Sequence, residues 1–275
     1  MTRQRGEWAD ILKVAADLVE SFDVRVTLRQ LFYLLVSRGL IANSVGSYKA
    51  LSDQTARARR AGWFPPLLDQ TRHVQRARTF ESPEAARLWL ASIYRRDRTD
   101  GQERAIFLGC EKHTLLPQLW EWFADLGFPI LPLGGYASQT YKDEVSALCG
   151  GDARPTLLLY VGDFDPSGED IERDFVERVG FDEVQRVAVR PEHVEQYNLT
   201  PFPGKASDAR AEMFVRRHGA LVQVEVEALS PTDLHDLLDA AIRPHLDTRP
   251  LMSVVWHGRP RSGRVWKKGT EHASH

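Results

Sequence analysis

"LLLYVGDFDPSGEDIERDF", residues 157–175, decides how this chain is read. An apolar run stops at two aspartates one residue apart, Asp163 and Asp165, and Pro166 and Gly168 follow at once. A short unbroken apolar run bounded by turn residues reads as a strand buried on both faces, and the segment after it as a helix. Strand-then-helix is the repeating unit of α/β proteins, whose sites form at the carboxyl ends of the strands. Two like charges at such an end raise each other's pKa and cost stability, so something must offset them.

The pattern extends on both sides. Strands are predicted at "RAIFLGC", "FPILPLGG", "PTLLLYVGD", "VQRVAVR" and "ALVQVEVEAL", with helices at about 114–126, 138–148, 167–178, 207–218 and 231–243. That alternation argues for an α/β fold with a mostly parallel sheet covered on both faces. The first 80 residues differ. An amphipathic helix spans 7–22, a second starts after Thr27 as N-cap and stops at Gly39, and a third runs from Ser47 to Ala61 with Gly62 beyond it. Three helices in so short a span, the last rich in arginine, suggest a helix-turn-helix or winged-helix module. "SPEAARLWLASIYRRDRTDGQ" reads as a capped helix running into a polar boundary around Arg95–Gln102, and the stretch after Met252 as an irregular tail.

Charge follows the same division. Residues 1–100 hold 17 Lys+Arg against 11 Asp+Glu, and residues 152–247 hold 10 against 20, although the whole chain is only −2. Such a split is expected where a nucleic-acid-facing part adjoins an acidic, cation-holding part. Two cysteines without metal-ligand spacing, no apolar run long enough to span a bilayer and no signal-peptide core predict a cytoplasmic, non-membrane protein.

Glu111 follows the first predicted strand as Asp163 and Asp165 follow the third. If those strands are neighbours, three carboxylates converge at one sheet edge, and a hard cation such as Mg²⁺ would relieve their repulsion. The local alternative is a turn and an N-cap, where Asp is favoured without any metal. Glu225 and Glu227, at the end of the last predicted strand, are further candidates for metal or proton-transfer carboxylates. Glu169 and Asp170 read as helix N-terminal charges.

A glutamate after one strand and D-x-D-x-x-G after a later one resembles the Toprim fold. "CEKH", "LGGYAS" at 133–138 and "VGDFDPSGEDI" together resemble the A subunit of type IIB topoisomerases (topoisomerase VI) and its meiotic double-strand-break relatives. In that family a winged-helix domain carries a nucleophilic tyrosine in the motif R-[DEQ]-[ILV]-[FY]-Y. "TLRQLFYLL" occupies that place here, with Arg29 and Tyr33 at the matching positions. The resemblance spans about residues 25–230. It implies a winged-helix-like domain at 1–80 with the tyrosine, a connecting helix and linker at 81–102, a Toprim domain at 103–250, and a basic irregular tail at 251–275.

The activity implied is a metal-dependent, topoisomerase-like DNA cleavage. Tyr33 attacks the backbone to give a 5′-phosphotyrosyl link, Arg29 contacts the scissile phosphate, and Glu111, Asp163 and Asp165 hold Mg²⁺ or Mn²⁺. Glu111 counts among the catalytic residues as well as the metal ligands. The implied partners are double-stranded DNA, a second copy of the chain whose metal site meets this tyrosine, and a separate ATPase subunit, since no P-loop occurs in the sequence. His113 stands where the family often has a second acid.

Helical geometry bears on Tyr33 independently. At about 100° per residue, Leu28, Leu31, Phe32 and Leu35 form one apolar stripe and Tyr33 lies about 140° from Leu28, so its hydroxyl is predicted to reach solvent or a bound backbone. Arg57, Arg59, Arg60, Arg72, Arg76 and Arg78 are the predicted DNA contacts, against a single acid, Asp69, in the same span; Lys112 joins them by its family position. Two further readings stay open: a Toprim nuclease that hydrolyses DNA with metal-activated water, and a non-catalytic DNA-binding regulatory module.

Overall fold

The computed structural model describes residues 5–68, 77–93, 97–204 and 207–247. Residues 251–275 and the arginines at 72 and 76 lie outside them, so the predicted tail and two of the predicted DNA contacts are not located.

Three helices open the chain: α1 (Arg5–Glu20), α2 (Leu28–Ser37) and α3 (Val45–Arg60). Thr27 caps α2 in a reciprocal box, its hydroxyl accepting from the Gln30 N–H while the Gln30 side chain accepts from the Thr27 N–H. Gly39 and Gly62 follow α2 and α3 with positive φ, as the sequence predicts. Ile11, Leu12, Ala15 and Val19 of α1 pack with Leu31, Phe32 and Leu35 of α2 and Leu51 of α3 in a core of their own. Helix α4 (Pro83–Ile93) follows with no buried side chain.

The second part is an α/β unit built on β1 (Ala105–Cys110), β2 (Ile130–Pro132), β3 (Thr156–Val161) and β4 (Glu183–Ala188). All pairings are parallel and the order is β2-β1-β3-β4. Both β1 and β3 are buried at every position, and their side chains alternate between two cores. Ile106, Leu108, Leu157, Leu159 and Val161 face one side, with Leu119, Phe123, Leu234 and Leu238. Phe107, Leu158 and Tyr160 face the other, with Val145, Phe175 and Val179. The helices are α5 (Leu116–Phe123), α6 (Gln139–Gly151), α7 (Pro166–Val179), α8 (Pro191–Gln196), α9 (Ala211–His218) and α10 (Pro231–Ile242).

One predicted strand fails. Within 220–229 only β6 (Val222–Gln223) is extended and paired, antiparallel to β5 (Phe202–Pro203), and a 3₁₀ turn covers Val226–Ala228. The segment is drawn off the sheet by the loop after β3: Phe164 and Val224 exchange two backbone hydrogen bonds in an antiparallel bridge, and the Val226 N–H is given to Asp163. The predicted boundary is also tied down. Gln102 exchanges two hydrogen bonds with the Asp247 backbone, and Arg154 reaches the Thr99 carbonyl and hydroxyl.

Candidate functional site

Adjacent pairing of β1 and β3 brings their ends together, as the three-carboxylate expectation requires. The Glu111 N–H extends the ladder to the Val161 carbonyl, and the Glu111 Oε2 accepts the Asp163 N–H at 2.9 Å. Asp163 itself is 3% exposed. Its Oδ1 accepts the Val226 N–H at 2.9 Å, and its Oδ2 meets the Lys112 ammonium at 2.5 Å. Asp165 is the N-cap of α7, its Oδ1 accepting the Gly168 N–H at 2.7 Å. The local alternative is therefore realised for this aspartate, whether or not it does more. Gly168 leaves room for the cluster: a Cβ there would stand 2.5 Å from the Asp163 carbonyl oxygen and 3.1 Å from the Glu111 Oε2.

The Phe164–Val224 bridge brings in two more acids. Glu225 and Glu227 are 7% and 1% exposed. Lys112 spans Asp163 and Glu225, at 2.7 Å from the Glu225 Oε2. Arg29 of α2 spans the pair, with its Nη2 3.0 Å from the Glu225 Oε1 and its Nε 3.1 Å from the Glu227 Oε2. The Thr114 hydroxyl donates to the other Glu227 oxygen at 2.8 Å. One continuous chain of charge thus runs Glu227–Arg29–Glu225–Lys112–Asp163. Beside it Gln30 of α2 donates to the Gln118 Oε1 of α5 at 2.9 Å, both side chains buried. The tyrosine helix is joined to the strand ends by buried polar contacts.

Burial dominates the electrostatics. It pushes Asp163 well above the carboxylate range, with Glu111 adding to the rise and Lys112 opposing it. Glu111 and Glu227 are also raised, chiefly by burial. Burial would lift Glu225 too, but Lys112 and Arg29 together draw it down. Lys112 and Arg29 are both held more firmly protonated by their acids, in spite of desolvation.

Tyr33 is half-buried rather than freely presented, because α2 is enclosed on more faces than its stripe predicts: Gln30, Leu31, Phe32, Leu34, Leu35 and Val36 are all buried. Its ring packs against Phe32 and, at 6.4 Å between centroids, against Phe202, touching the cores of both parts. The Arg29 guanidinium lies 5.9 Å from the ring centre. Burial, then the Glu225 charge, raises the phenol above its ordinary value, with Arg29 pulling the other way. Tyr33 and Arg29 thus sit beside carboxylates of their own chain.

The other sequence-predicted residues lie apart from this cluster or play other parts. Arg57, Arg59 and Arg60 are exposed in the last turn of α3, where positive charge also complements the helix dipole. Arg78 stacks over Trp89 at 4.5 Å. Lys112, predicted to face DNA, is committed to Asp163 and Glu225. Glu169 pairs with Arg217 and His218, and Asp170 with Arg173, Arg210 and the Tyr136 hydroxyl.

The donor set suits the implied Mg²⁺ only in part. Among the described residues no three His, Cys, Asp or Glu side chains form a ready metal cage. Glu111 and Asp165 each have one carboxylate oxygen outside the hydrogen bonds above, whereas both Asp163 oxygens are engaged, one by an ammonium. The residues fit a divalent cation only if Lys112 withdraws. Comparison of the chain with protein-family models and with curated proteins returned no match.

Proposed function

We propose that this chain binds double-stranded DNA and breaks its backbone by transesterification, as the type IIB topoisomerase A subunits it resembles do, with a winged-helix-like module before a Toprim-like α/β unit. The observation that carries the reading is the ion-pair chain from Arg29 through Glu225 and Lys112 to Asp163, which joins α2, the helix that bears Tyr33, to the strand-end acids. The family pattern has the tyrosine completing the partner's site; the contacts here favour a site complete within each chain, and a homodimer would present two of them to the two strands.

In the reaction the Tyr33 oxygen bonds to phosphorus, the bond from phosphorus to the 3′-oxygen breaks, and the phenol proton is lost as the 3′-oxygen gains one. Arg29, released from Glu225 and Glu227 by the entering phosphate, is placed to neutralise the phosphoryl oxygens. Glu111, Asp165 and, once its ammonium partner moves, Asp163 would hold Mg²⁺, which when bound supplies positive charge to the phosphoryl and leaving oxygens. Exposed Arg57, Arg59 and Arg60 supply salt-sensitive affinity. Strand passage would need a separate ATPase subunit.

A second reading has its own observation. The phenol is half-buried and raised, which opposes its use as a nucleophile and favours hydrolysis by metal-activated water, with Tyr33 as a binding residue. Incubation of supercoiled DNA with the protein and Mg²⁺ or Mn²⁺, then denaturing electrophoresis with and without protease, separates the two. Transesterification gives protein-linked 5′ ends that disappear in Tyr33→Phe. Free ends that survive Tyr33→Phe mean hydrolysis, and no cleavage by any form leaves a DNA-binding module.

A further inference from the structure

We propose that Lys112 is a tethered cation that holds the acidic site together without metal, and that a divalent cation must compete with it for Asp163 and Glu225. The inference rests on the metal-site reading above and names what regulates occupancy of that site. Five carboxylates meet at the strand ends, those of Glu111, Asp163, Asp165, Glu225 and Glu227, against two side-chain cations, Lys112 and Arg29. Arg186 adds a third cation at the margin, its guanidinium bound to the Asp163 carbonyl and to Glu172. Among the described residues Lys112 is the cation that reaches the carboxylate of Asp163, the most buried of the sheet-end acids proper, and it does so while also bridging to Glu225. Its Cα is next to Glu111 in sequence, so the ammonium is delivered to the cluster by the same strand end that supplies the first acid.

Geometry makes the two cations alternatives. The Val226 N–H is donated to Asp163 Oδ1, so Oδ2 is the oxygen more open to a cation, and the ammonium stands 2.5 Å from it. An ion on Oδ2 and an ammonium on Oδ2 place two positive charges within a few ångströms, where they repel strongly at protein-like dielectric. Lys112 has a way out: its side chain is 18% exposed and its four-carbon stem is flexible. The proposal therefore assigns to Lys112 a specificity role, a threshold that a metal must exceed before the site assembles, rather than the DNA contact its position in the sequence suggests.

The test uses the full chain and three variants, Lys112→Met, Lys112→Arg and Asp163→Asn, with Mn²⁺ binding followed by calorimetry or paramagnetic resonance, and thermal unfolding followed in EDTA and in Mn²⁺. Lys112→Met is expected to bind Mn²⁺ at least tenfold more tightly than wild type, to melt about 5 °C lower in EDTA because the buried acids lose their counter-charge, and to regain that loss in Mn²⁺. Lys112→Arg keeps the charge and is expected to stay within about threefold of wild type. Equal Mn²⁺ affinity in wild type and Lys112→Met, with binding lost in Asp163→Asn, overturns the competition while leaving the metal site standing. An unchanged melting point for Lys112→Met in EDTA overturns the tethered-cation role. Absence of Mn²⁺ binding in every form removes the metal site and this proposal with it.

Discussion

Two charge clusters meet the start of α7, one through Asp163 and the other through Ser167 and Asp170, and behave in opposite ways. The outer one joins Asp208, Arg210, Ser167, Asp170 and Tyr136. Arg210 grips both Asp208 oxygens, at 2.7 and 2.9 Å, and holds that carboxyl down at about 2. The inner one joins Asp163, Glu111, Glu225 and Glu227 with Lys112 and Arg29, and there Asp163, Glu111 and Glu227 are pushed up. Both join carboxylates to side-chain cations. Where water still solvates the group, hydrogen bonds to the charged form win; where strand ends close over it, desolvation wins. The outer cluster is a satisfied surface brace. The inner one carries more acid than base, the condition expected of a site that takes up positive charge.

The sharpest way to break that contrast is to remove an inner cation. Arg29→Ala leaves Glu225 and Glu227 buried without their guanidinium and should cost about 2–3 kcal/mol, below the usual range for a broken buried pair because Arg29 is itself partly exposed. Urea unfolding measures it, and adding Glu227→Gln should recover part of the loss; a change below about 0.5 kcal/mol would make the inner network no different from a surface pair. Gln118→Ala removes the partner of buried Gln30 and is expected to cost about 1–3 kcal/mol by the same assay.

The two clusters should also titrate with opposite signs. Asp208, with a depressed native pKa, contributes stability that is present above its ordinary value and lost as pH falls towards about 2. Asp163, with a raised native pKa, binds its proton more tightly when folded, so its burden is absent at acid pH, grows as pH rises above the ordinary carboxylate value and levels off past the native one. Melting points across pH 4–8 should therefore show Asp163→Asn gaining on wild type as pH rises, and a constant offset would contradict the assignment. The smallest effect belongs to the surface: Asp208→Ala should change stability near neutral pH by less than about 1 kcal/mol.

Much of the frame was legible in the sequence because it depends on local pattern. The apolar runs of β1 and β3, the capping of α2 by Thr27 and the glycine stops at Gly39 and Gly62 are each contained in a few consecutive residues. The convergence of Glu111 with Asp163 followed from assuming neighbouring strands, and β1 and β3 are neighbours. What stayed hidden depends on distant partners. Arg29 finds Glu225 across 196 positions, and nothing in "LRQLFY" says so. "VQVEVEAL" alternates like a strand, yet the loop after β3 claims Val224 and Val226 by hydrogen bonds that periodicity does not register. Helix α8 is too short to show a period. Lys112 is a further case: its family position suggests DNA, and the anions it meets, Asp163 and Glu225, lie far along its own chain.

If, as proposed, tyrosine and carboxylates form one DNA-cleaving site within one chain, mixing two variants that each lack one half cannot restore cleavage. Tyr33→Phe and Asp163→Asn are unfolded and refolded together, so that any dimers are mixed, and assayed on supercoiled DNA with Mg²⁺ beside the wild type. The expected result is cleavage by the wild type, none by either variant, and none by the mixture, since every chain in the mixture lacks half of its own site. Nicked, protein-linked DNA from the mixture would contradict it, because only a site shared between two chains can be rebuilt that way.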